Sequence, residues 1–139
     1  MKKYRFLICI FPFIAFILEM LPYGAVLNFA TEGDGVIRRT FSYFDMTVFG
    51  YANFGPILTA VFSVGALALC VIACIKHKRS LYKVCVMLLA IAFVLSLCPF
   101  MLGIRYFSVV GLLISISLAV SSAVAFWYYK ILKNAKEAH

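Results

Sequence analysis

Apolar residues run almost unbroken through four stretches of this chain, residues 6–29, 57–75, 82–102 and 106–129, and polar residues gather between them. Each run is near or above the roughly 20 residues that a helix needs to cross about 30 Å of hydrocarbon. The connections "KHKRS" and Gly103–Arg105 are short, which forces the helices they join to be antiparallel. The pattern predicts an all-α integral membrane protein, a four-transmembrane-helix antiparallel bundle forming one membrane domain over residues 1–139, with a long outer loop at 30–55. Pro12 removes a backbone donor in mid-span and should bend the first helix, Pro56 suits the first turn of the second, and Pro99 should fray the outer end of the third. The basic start followed by thirteen apolar residues imitates a signal peptide. No A-x-A-like site follows it and the apolar character continues through "MLPYGAVLNFA", so a retained helix is expected.

Composition agrees with lipid as the solvent. Of 139 residues 65% are hydrophobic and 13% charged, where soluble domains show about half and about a quarter. The net charge of +8 raises the question of nucleic acid, and its distribution answers it. Lys2, Lys3 and Arg5 precede the first run, Lys76, Lys78, Arg79 and Lys83 lie between the second and third, and Lys130, Lys133 and Lys136 follow the fourth. Placing these three clusters inside leaves Arg38, Arg39 and Arg105 outside, as the positive-inside rule expects. Both termini are then cytoplasmic, anionic headgroups of the lipid bilayer account for the basic excess, and no nucleic-acid partner is expected. Tyr4, Tyr82, Trp127, Tyr128 and Tyr129 fall beside the basic clusters and Tyr23, Tyr106 and Phe107 at the opposite ends, the placement of interfacial aromatic belts.

Without a hydrophobic force between helices in lipid, association depends on small residues that let backbones approach. The fourth run offers Gly111, Ser115, Ala119 and then Ser122 or Ala123. The second offers Thr59, Ser63, Ala66, Cys70 and then Ala73 or Cys74. These two seams are expected to face other helices. The five cysteines, Cys9, Cys70, Cys74, Cys85 and Cys98, lie in or beside apolar runs, with none in the outer loop, so no disulfide framework is implied. Cys9, Cys70, Cys74 and Cys85 fall at similar levels, but they lack the tight pairs of four-ligand soft-metal sites. Small packing residues are the expected role, with no metal.

The outer loop "ATEGDGVIRRTFSYFDMTVFGYANFG" opens on a turn cluster, Glu32-Gly33-Asp34-Gly35, and then carries Phe41, Tyr43, Phe44, Phe49, Tyr51 and Phe54. So many aromatics must rest on something, either the outer interface or the mouth of the bundle. "RTFSYF" alternates as a strand would, while Phe41, Phe44 and Val48 would share a helical face, so spacing leaves the form open.

One acid interrupts the first run. Glu19 is thirteen residues beyond Phe6, about 20 Å along a helix, which puts it in the outer third of the hydrocarbon. Intramembrane acids usually turn inward and find a partner. Ile8, Pro12, Ala15 and Glu19 share a stripe, and the expected cation is Arg105, with Arg38 or Arg39 as alternatives. The pair would be either a structural lock or a proton-titrating site.

Histidine occurs only as His77 in the inner turn and His139 at the end, and no glycine-rich phosphate loop, paired-carboxylate site or histidine metal pattern appears. No enzyme and no cofactor is expected. The expected function is that of a small multi-pass protein of the plasma membrane acting through contacts, as an accessory or self-assembling component with a homo-oligomeric or membrane-protein partner. The alternative is a proton-coupled small-solute transporter or channel using Glu19.

Overall fold

Proline decides where the first helix stops. A computed structural model of the chain describes residues 6–31, 33, 35–51 and 53–137, and in it α1 is Leu7–Met20. Leu21 beyond it is extended, with φ −68° and ψ 139°, because a residue before proline is pushed out of the helical region and Pro22 comes next. The expected first span is thereby corrected. Its helix has 14 residues, about 21 Å at 1.5 Å per residue, and the apolar stretch after Gly24 is a strand. Lys2, Lys3, Tyr4, Arg5, Glu32, Asp34 and His139 lie outside the described residues, as does the side chain of Lys136.

The all-α expectation is corrected by the same segment. Strands β1 (Ala25–Thr31) and β2 (Gly35–Phe41) form an antiparallel hairpin in which Ala25 stands opposite Phe41 and Thr31 opposite Gly35. Gly33 at its tip has φ +106°, a left-handed conformation that glycine adopts without strain, and the Thr31 hydroxyl donates to the Gly35 carbonyl at 2.7 Å. Arg39–Phe41 of "RTFSYF" are thus strand, while Val48 belongs to the short helix α2 (Met46–Gly50). The Asp45 carboxylate caps α2 by accepting the Thr47 backbone N–H at 2.9 Å. Hydrogen bonds from Thr47, hydroxyl first and backbone second, hold the Asp45 carboxyl below the usual carboxylate range. That cap therefore contributes fully above the ordinary aspartate pKa of about 3.9 and is lost as the pH falls through the lowered value.

The remaining elements are α3 (Gly55–Lys76), α4 (Arg79–Ser96), the short α5 (Cys98–Met101), a 3-10 turn at Ile104–Tyr106, and α6 (Val109–Glu137). Three segments, Gly55–Lys76, Arg79–Met101 and Val109–Ala135, are long and apolar enough to cross a membrane. Pro56 and Pro99 each stand in the first turn of a helix, where the missing N–H costs no bond. α3 ends on His77 in a left-handed conformation, φ 53°, and Lys78 then starts the return into α4.

The helices α1, α3, α4 and α6 pack edge to edge, with α3 on α4, α4 on α6, α6 on α1 and α1 on α3. α1 buries Ile8, Pro12, Ala15 and Glu19, one residue per turn, as the 3.6-residue period requires. α3 buries Thr59, Ala60, Ser63, Ala66, Cys70 and Ala73, a line of small side chains that brings its backbone close to its neighbours. Tyr82 and Tyr128 pack with ring centroids 5.2 Å apart at the end remote from the hairpin, and the Tyr82 hydroxyl donates to the Ala73 carbonyl at 3.0 Å.

Two glycines of α3 give opposite expectations. A Cβ on Gly55 would lie 2.8 Å from Cys98 Cβ and 3.3 Å from the Leu95 carbonyl oxygen, whereas a Cβ on Gly65 would meet nothing within 4 Å. Gly65→Ala should raise stability by about 0.5–1 kcal/mol through helix propensity. Gly55→Ala should lower it by about 1–3 kcal/mol through overpacking. Thermal unfolding of the two variants in one detergent compares them directly.

Candidate functional site

Glu19 sits in the last turn of α1, completely excluded from solvent, at the hairpin end of the helices. α3 presents Ser63 to it, and the Ser63 hydroxyl donates to Glu19 Oε2 at 2.5 Å, with the Ala60 carbonyl 3.1 Å away as a second acceptor. The backbone carbonyl of Glu19 accepts the Tyr43 N–H at 3.0 Å. One residue therefore ties the end of α1 to α3 by its side chain and to the segment after β2 by its backbone.

Among the described residues no arginine completes the site. Glu19 Oε1 has no hydrogen-bond partner among the described residues, and the expected pairing with Arg105, Arg38 or Arg39 is replaced by the Ser63 hydroxyl. The cause lies in the chain path: α1 stops one residue after Glu19, and the hairpin folds back so that Tyr43 covers it while the arginines stay exposed. Arg105 lies on the 3-10 turn, where its backbone carbonyl accepts from Asn28 Nδ2 at 3.4 Å. Arg38 donates to the Phe107 carbonyl at 3.0 Å. Arg39 lies in a groove on the face of the hairpin.

Tyr43 is a large side chain in a narrow slot. It is 1% exposed, and its hydroxyl, like Glu19 Oε1, has no hydrogen-bond partner among the described residues. Glycine makes the slot: a Cβ on Gly24 would come within 2.9 Å of Tyr43 Cδ1, and one on Gly111 within 3.4 Å of the Tyr43 hydroxyl. Ser108 locks the wall behind it, donating to the Gly24 carbonyl at 2.6 Å and accepting the Gly111 N–H at 2.8 Å. The second bond is an N-cap for α6. Further along, the Ser115 hydroxyl reaches the Gly111 carbonyl at 3.1 Å, and Ser96 of α4 donates to Ser115 at 2.8 Å. A buried polar seam thus crosses from the hairpin through α6 to α4. Ser108→Ala should cost about 1–2 kcal/mol by removing the cap, read as a lower melting temperature in detergent. Ser108→Thr should retain most of it.

Of the residues expected to pack helices together, Ser63, Ala66, Cys70, Gly111 and Ser115 are buried, and Ala119 is half-buried. Beyond Ser115 the buried line of α6 runs instead through Leu118, Ser121, Ala125 and Tyr128. Sequence reasoning passed over Ser96 and Ser108, and it named Tyr43 only among the outer-loop aromatics, without its slot. Ser108 had a signal, a serine immediately before an apolar helical run. Tyr43 had none, since its slot is built from glycines distant in sequence.

Four of the five cysteines, Cys9, Cys70, Cys74 and Cys85, lie toward the other end, while Cys98 stands against Gly55 at the hairpin end. Cys9 and Cys74 sulfurs are 3.7 Å apart, and Cys70 and Cys85 are buried free thiols. Among the described residues no group of three or more histidine, cysteine, aspartate or glutamate side chains is placed to hold a metal ion.

Comparison with family models, curated proteins and solved structures finds no match for this chain. The three long apolar helices are compatible with a small membrane protein.

Proposed function

We propose that this chain is a four-span protein of the plasma membrane, with both termini cytoplasmic, that works by contact as an accessory or self-assembling component and not as an enzyme. α1 supplies the fourth crossing together with the chain that follows it. Extended backbone at membrane depth is tolerated where it is paired and covered by protein, and Ala25, Val26 and Leu27 are buried and paired with β2. The basic residues Lys76, Lys78, Lys130 and Lys133 stand at the end remote from the hairpin, which supports an outer position for the hairpin by the positive-inside rule.

The observation that carries the contact reading is the asymmetry of the hairpin. β1 is buried at its start, whereas Gly35–Thr40 of β2 are exposed throughout. A two-stranded ribbon is marginally stable alone, so an exposed outer strand held above a packed bundle is a surface for another molecule. Purification in mild detergent with mass determination tests this. An oligomer or a stoichiometric partner is expected, and a lone monomer in every detergent would remove the reading.

A second reading rests on Glu19. A buried carboxylate with one hydroxyl donor, an unpartnered oxygen and no cation is an environment for a proton or cation carried through the membrane. Oligomerisation would then supply the solute path. Proton-coupled uptake in proteoliposomes, abolished by Glu19→Gln in a folded protein, supports this reading.

A further inference from the structure

We propose that the outer edge of β2 and the groove beside it form a docking site for an extended segment of a partner polypeptide that carries a carboxylate between apolar residues. This rests on the contact reading above and names the kind of partner that the reading requires.

Pairing supplies the first argument. Among the described residues the sheet has two strands, β1 paired with β2; β1 is buried at its start while Gly35–Thr40 of β2 are exposed, so the edge offered to another chain is that of β2. Val36 and Ile37 on that strand are 63% and 47% exposed. An open edge of seven residues presents a row of backbone donors and acceptors that another strand can satisfy.

Side chains supply the second. Alternation along β2 puts Ile37, Arg39 and Phe41 on one face, and these three line a groove of about 360 Å³ with Phe29, Thr47 and Tyr51. Phe29 and Tyr51 meet edge to face, with centroids 5.1 Å apart, which fixes one wall. Arg38 faces away and donates to the Phe107 carbonyl. The groove therefore has a single guanidinium, Arg39, with Ile37 and Phe41 two residues to either side. An added strand places alternate side chains into such a groove, so a carboxylate opposite Arg39 with apolar neighbours at the flanking positions is the complementary pattern.

Charge separates this occupant from two others. A second copy pairing antiparallel through the middle of β2 would put Arg38 against Arg38, or Arg38 against Arg39, and like charges directly opposite are unfavourable. An anionic lipid phosphate satisfies one guanidinium but leaves the backbone edge unpaired.

The test uses the full chain in nanodiscs of zwitterionic lipid. The probe is a blocked seven-residue peptide of alternating threonine and valine with glutamate at its centre, compared with the same peptide centred on lysine and with its backbone N-methylated form. The glutamate peptide should bind at least tenfold more tightly than the lysine peptide and slow amide hydrogen exchange in β2. Arg39→Glu should reverse the preference, and the N-methylated peptide should not bind. Equal binding of the two charged peptides, unchanged exchange in β2, or binding that survives N-methylation overturns the proposal. Failure of all peptides at millimolar concentration, with Arg39-dependent binding of anionic vesicles, assigns the site to lipid and overturns it too. A partner that co-purifies equally with the parent and with Arg39→Glu removes this docking site while leaving the contact reading in place.

Discussion

Glu19→Lys is expected to yield little folded protein, whereas Glu19→Gln is expected to purify and to melt within a few degrees of the parent. The side chain is fully buried, with Ser63 as its donor and Oε1 unpartnered. Glutamine has nearly the shape of the neutral acid, and its amide oxygen can accept the Ser63 hydroxyl, so the change should stay within about 1 kcal/mol. An ammonium in the same space has no anion to meet, and an uncompensated buried charge costs about 3–5 kcal/mol. Glu19→Ala falls between, at about 2–3 kcal/mol, through the lost bond and the space left behind. Fluorescence-detected size exclusion and thermal unfolding rank the three. Should Glu19→Gln collapse as far as Glu19→Lys, the carboxylate must be ionised and paired in the native protein, and the account of the site given above is wrong.

Gly111→Val is expected to detach the hairpin from α6. A Cβ at this position would stand 3.1 Å from the Gly24 carbonyl oxygen and 3.2 Å from the Ser108 hydroxyl. Neither can retreat, because Ser108 bonds both the Gly24 carbonyl and the Gly111 N–H. Overpacking of about 1–3 kcal/mol then adds to the loss of these bonds at about 1 kcal/mol each. Hydrogen exchange should rise in Ala25–Leu27 while the helix remote from the contact, α3, stays protected. Gly24→Ala acts on the same slot from the other side, with its Cβ 2.9 Å from Tyr43 Cδ1. Trimming the tyrosine, as Tyr43→Ala, should therefore make Gly24→Ala nearly neutral, a coupling that a double-mutant cycle measures.

The long apolar helices were legible because period and composition act locally. Ile8, Pro12, Ala15 and Glu19 could be placed on one stripe from spacing alone, and the small residues of α3 from their size. The course of α6 beyond Ser115 was not, because Leu118, Ser121, Ala125 and Tyr128 are buried by packing against two neighbours at once. Small size is one way into a helix interface, and a leucine with a matching hollow is another. The hairpin was hidden for a different reason. "AVLNFA" is as apolar as the helix before it, and composition cannot tell an extended buried segment from a helical one; the ring of Pro22, which pushes Leu21 out of the helical region, is the residue that separates them. The partner of Glu19 was beyond sequence reasoning, since an acid invites a search for cations, and only the rotation of α3 brings a serine to it.

The bonds that seat the hairpin also carry information about the order of assembly. Glu19 waits for Ser63, 44 residues later, and Gly24 waits for Ser108, 84 residues later. During synthesis α1 is therefore made with its acid unmet, and the ribbon that follows has no seat until α6 is made. Seating of the ribbon must then follow formation of α6, a late closure of contacts far apart along the chain.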